Sequence, residues 1–88
     1  MSPDNEQLQR ELTYGEKMVG LTFNPSGNAD VQECKERFAA IIDSLQNRRH
    51  SLDQATEHTP HQVKFIESAI DKAITAQMAA VKAITYGV

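Results

Sequence analysis

The chain has 88 residues, enough for one domain and close to the size at which a lone chain buries barely enough surface to stay folded. With 9 Lys plus Arg against 12 Asp plus Glu its formal charge is -3, so no global field draws in DNA, RNA or an anionic membrane, and any bound anion must be held by local groups. Cys34 is the single cysteine, which excludes an internal disulfide and a cysteine-built zinc cluster and suits a reducing cytosol.

The chain opens with Ser2-Pro3-Asp4, a helix-start pattern, and Leu8 and Leu12 follow one turn apart. A short helix ending near Tyr14-Gly15 is expected. Asp4, Glu6 and Glu11 lack the basic and apolar regions of a signal peptide, and no stretch of the chain approaches the roughly 20 apolar residues of a membrane span. The expectation is a soluble protein that stays inside a cell.

The connector "GLTFNPSGN" carries turn chemistry at Asn24-Pro25-Ser26-Gly27, where proline presets one dihedral and glycine supplies a positive one. Residues 1–27 thus read as a short helix plus connector. From Asn28 to about Asp53, Val31, Cys34, Phe38, Ile41, Ile42, Leu45 and Leu52 fall at steps of three and four, interrupted at Arg48 and Arg49. Asn28 is the expected cap, and Asp30 and Glu33 place negative charge at the positive end of the helix dipole.

The second long helix is expected to open on Thr59-Pro60-His61-Gln62, read as a capping box with Thr59 as cap and proline at the first helical position. Val63, Ile66, Ile70, Ile74, Met78, Val81 and Ile84 then form an apolar face, widened by Ala69, Ala73, Ala76, Ala80 and Ala83 and interrupted by Gln77. The link near "QATEHTP" is short and polar, so the two helices should fold back antiparallel. The expected fold is all-α: a short N-terminal helix plus a long antiparallel helical hairpin over residues 28–88, in one domain. The alanine-rich face is too wide for one partner helix to cover, which points to an obligate homo-oligomer.

No phosphate-binding glycine loop, His-Glu-x-x-His, nucleophile elbow or recognisable carboxylate pair is present, so the chain does not read as an enzyme and no cofactor is expected. His58 and His61 are spaced to share a metal, but no third ligand stands out and solvated loop histidines are the favoured reading. Arg48-Arg49-His50 with Lys64 form a basic run that reads as a solvated helix end. Tyr14 beside Gly15, with Lys17 close and the amide-rich helix start at Asn28 to Val31 following, brings a stacking surface, a cation and backbone donors into one segment. Lys35, one turn into the long helix, can reach over the same connector. A nucleotide needs those three elements. On spacing alone, the favoured reading is that Tyr14 and Phe23 are hydrophobic plugs for the open end of the hairpin.

The strings "YGEKMVGLTFNPSGNADVQECKERFAAIIDSL" and "ITAQMAAVKAIT" resemble a family of small phage proteins, the anti-CBASS and Thoeris anti-defence hairpin domain. The likeness runs from about Tyr14 to Thr85. It implies a cyclic-oligonucleotide sponge in the cytoplasm of the infected bacterial host, sequestering immune second messengers without cleaving them and so blocking CBASS effectors. It also implies a homohexamer with cyclic dinucleotides such as cyclic GMP-AMP bound between subunits, and a second type of pocket for cyclic trinucleotides. The family's base-stacking tyrosine matches Tyr14, and its phosphate-contacting lysine matches Lys35 in "QECKERF". Lys72 and Thr75 are placed in the trinucleotide pocket, although Ala79 stands where a large residue is commoner in the family. The competing reading is a small helical-hairpin adaptor or structural oligomer that binds a partner protein.

Overall fold

The computed structural model describes residues 10–24, 27–52 and 57–87, which form three α-helices: α1 (Tyr14–Val19), α2 (Ala29–His50) and α3 (Thr59–Thr85). The short helix expected from Ser2 to about Gly15 lies in part outside the described residues. Where it can be compared, over 10–13, the chain is not helical, and helix begins at Tyr14 instead. The reason is a capping box at Thr13-Tyr14-Gly15-Glu16: the Thr13 hydroxyl accepts from the Glu16 N–H at 3.1 Å, and the Glu16 carboxylate accepts from the Thr13 N–H at 2.8 Å. The helix stops after six residues because Gly20 turns left-handed at φ 63° and donates its N–H to the Glu16 and Lys17 carbonyls.

The connector that follows is closed by Asn24. Its side chain accepts from the Asn28 N–H and donates to the Asn28 carbonyl at 3.2 and 2.9 Å, and Gly27 takes the expected positive φ of 64°. Asn28 caps α2, accepting from the Asp30 and Val31 N–H groups. At α3 the boundary falls one residue earlier than expected. His58 occupies the cap position without a side-chain cap bond, and Thr59, expected as the cap, is the buried first residue of the helix.

Helices α2 and α3 run antiparallel, since Lys35 near the start of α2 and Val81 near the end of α3 line one cleft, while Arg49 at the other end of α2 pairs with Glu67 at 2.7 Å. The core consists of Val19, Leu21, Ala39, Ile42, Ile66 and Ile70, with Phe38, Leu45, Ala73 and Ile74 packed against it. On α2 the buried positions are Val31, Lys35, Ala39 and Ile42, and on α3 Thr59, Ile66, Ile70 and Gln77. Two expected core residues are therefore outside it: Ile41 is 50% exposed and Met78 61%. Spacing explains the exchange. Gln77 stands seven residues after Ile70 and Lys35 seven before Ile42, so both lie on the inter-helix seam regardless of polarity.

α1 lies against α2 through its glycine. A Cβ on Gly15 would overlap the Ala39 carbonyl oxygen, and the Gly15 N–H donates to the Asp43 carboxylate at 2.7 Å. Backbone thus packs directly on backbone. No helix among the described residues is long and apolar enough to cross a membrane.

Candidate functional site

On α1, Gly15 and Val19 are buried, which turns Tyr14, Lys17 and Met18 outward. These three sit three and four residues apart and share one face. Beside that face, where α1, the connector, α2 and α3 converge, lies a cleft of about 510 Å³, lined by Lys17, Met18, Phe23, Lys35, Gln77 and Met78 among others. Tyr14 stands one turn from Lys17 and is not among its walls.

Lys35 is only 5% exposed. Its ammonium donates to the Gly20 carbonyl at 3.0 Å and to the Phe23 carbonyl, and lies 5.6 Å from the centre of the Phe23 ring. The expected reach over the connector is present, but two of the three ammonium protons are taken by the chain's own carbonyls, leaving one for anything else. Lys17 is exposed, and its ammonium makes no hydrogen bond or ion pair with the described residues. It is the accessible cation of the cleft. The Phe23 ring stands 72% exposed at its edge, available to stack rather than acting as a buried plug.

The backbone donors expected at the start of α2 are not free. Asn28 itself accepts from the Asp30 and Val31 N–H groups, so that helix start offers no open amide cradle at those two positions. A carboxylate does the same on α1, where Asp43 takes the Gly15 N–H. Of the cations and amides expected around this connector, the Asp30 and Val31 amides are engaged and the Lys17 side chain is exposed.

A larger hollow of about 920 Å³ is lined by Arg10, Leu12, Glu16, Thr22, Asn24 and Glu36 among others. Its arginine is fully engaged: Arg10 meets the Glu16 carboxylate through both terminal nitrogens at 2.7 and 2.9 Å. That fork, with the Thr13 N–H, holds the Glu16 carboxyl down at about 2, and the same bond raises the Arg10 guanidinium. With Glu36 adding a second carboxylate, this hollow is unsuited to an anion.

Lys72 and Thr75, one turn apart on α3, are both exposed and far from enclosed. Lys72 donates to the Ser68 hydroxyl at 2.8 Å and Thr75 to the Asp71 carbonyl at 3.1 Å. Among the described residues no three metal-ligating side chains come together, His58 and His61 included. Sequence reasoning missed Gln77, Met18 and Met78 as cleft residues. The signal for Gln77 was present, in its seven-residue spacing from Ile70. Comparison with protein-family models, curated proteins and solved structures yields no match.

Proposed function

We infer that the protein binds cyclic dinucleotides and sequesters them without chemistry, as a phage-encoded sponge that keeps immune second messengers from their effectors. The observation that carries this is the juxtaposition on and beside α1: a Tyr14 ring turned outward, Lys17 one turn on with its ammonium unpaired among the described residues, and the Phe23 ring lining a cleft that also holds Lys35. Aromatic faces stack bases for about 1 to 3 kcal/mol each. An ammonium meets a phosphodiester as a point charge, and the local arrangement works in a chain of net charge -3. Lys35 contributes its remaining proton and braces the connector that carries Phe23.

The reading includes a homo-oligomer, a hexamer by resemblance, in which neighbouring copies complete each site. Exposed Ile41, Phe65 and Tyr86 favour further chain covering them. Lys72 and Thr75, open on α3, are the groups through which several copies together would meet a cyclic trinucleotide. Calorimetry against cyclic GMP-AMP and cyclic triadenylate is the test. Tyr14→Ala abolishes dinucleotide binding while helicity and assembly mass stay unchanged. No heat with either ligand at tens of micromolar protein rejects the sponge and leaves the adaptor.

A further inference from the structure

Three polar side chains are buried among the described residues: Lys35, Thr59 and Gln77. Lys35 is held by two carbonyls and Thr59 is also engaged. The Gln77 carboxamide makes no hydrogen bond to any described residue, although the residue is only 5% exposed. Among the described residues no side-chain nitrogen or oxygen is both cut off from solvent and without a partner. Gln77 lines the cleft between α1 and α3. Its neighbours along the seam, Ile66, Ile70 and Ala73, are apolar, so packing supplies no reason for an amide here. A methionine has the same length and would fill the position without stranding a polar group.

We propose that Gln77 hydrogen-bonds the edge of a nucleobase held in this cleft. The carboxamide offers an acceptor and two donors in one plane, which matches the adjacent donor and acceptor on an adenine edge. The rest of the cleft completes the recognition. Phe23, Met18 and Met78 give the base apolar faces to lie against, and Lys17 stands ready for the phosphate. This rests on the nucleotide-binding reading and adds to it the residue that reads the base.

A group kept for a ligand rather than for the fold has a distinct signature: its removal weakens binding without weakening the free protein. The test is Gln77→Met, measured by thermal unfolding without ligand, sedimentation, and calorimetry with cyclic di-AMP and cyclic GMP-AMP. The free variant melts at or above the wild-type temperature with the same mass, while affinity for both ligands falls on the order of tenfold. Gln77→Glu, which keeps the shape and loses the donors, weakens binding as well. A Gln77→Met protein that melts lower or does not fold shows a structural role and overturns the proposal. Wild-type affinity in either variant overturns it too and leaves the sponge standing. If the wild-type protein binds neither ligand, both readings fall together.

Discussion

Lys35 and Lys17 lie in one cleft and do different work. Lys35 donates to the Gly20 and Phe23 carbonyls from a buried position, and hydrogen bonds from a charged donor are among the stronger ones. Lys35→Met therefore lowers stability by about 2 kcal/mol and loosens the connector, which urea unfolding detects. Lys17 is exposed and its ammonium engages no described residue, so Lys17→Met changes stability by less than about 0.5 kcal/mol. Its expected effect is on cyclic dinucleotide affinity alone. Loss of binding without loss of stability at Lys17, and the reverse emphasis at Lys35, separates ligand contact from bracing.

At the scale of the element, α1 is six residues long and cannot persist by itself, since isolated helices of that length are unstable in water. Its capping box, the Gly15 contact and the Arg10–Glu16 pair hold it. Gly15→Ala forces a methyl into the Ala39 carbonyl, and the expected loss is about 1 to 3 kcal/mol, read by chemical unfolding. It displaces the face that carries Tyr14 and Lys17, so ligand affinity falls with it.

The same helix sets an acid limit. Glu16 titrates at about 2 in the fold against an ordinary 4.5. A carboxyl lowered on folding contributes stability that is complete above about pH 4.5 and is lost as pH falls toward 2. The melting temperature should drop across that window, and Glu16→Gln should flatten the drop while lowering the plateau at neutral pH.

The whole molecule is thin. Its Cα extents are 48 × 37 × 12 Å; one layer of helices measures about 5 Å between Cα atoms and two packed layers about 15 Å, so in its thin direction the chain falls short of the two full layers that stable domains usually pack. Ile42 is the only large side chain among the described residues that is fully buried, while Ile41, Phe65, Met78 and Tyr86 face outward. A layer with apolar residues outside its core gains by stacking on copies of itself. Sedimentation should show an assembly several times 9.8 kDa at micromolar concentration; a folded monomer there removes the oligomer and every site that needs a second copy.

The sequence by itself determined the all-helical class, the Asn28 cap, the Gly27 turn and the antiparallel return of the hairpin, because caps, turns and three-to-four spacing are local and act through neighbours in the chain. It also pointed to Tyr14, Lys17 and Lys35 as lying around one connector. The Thr13-to-Glu16 box was equally local, but the Leu8–Leu12 spacing upstream suggested a helix ending where this one begins. What the tertiary structure decided was which face of each long helix turns inward. Lys35 and Gln77 entered the seam while Ile41 and Met78 left it, since register along two packed helices is fixed by the whole set of contacts and overrides the polarity of any single residue.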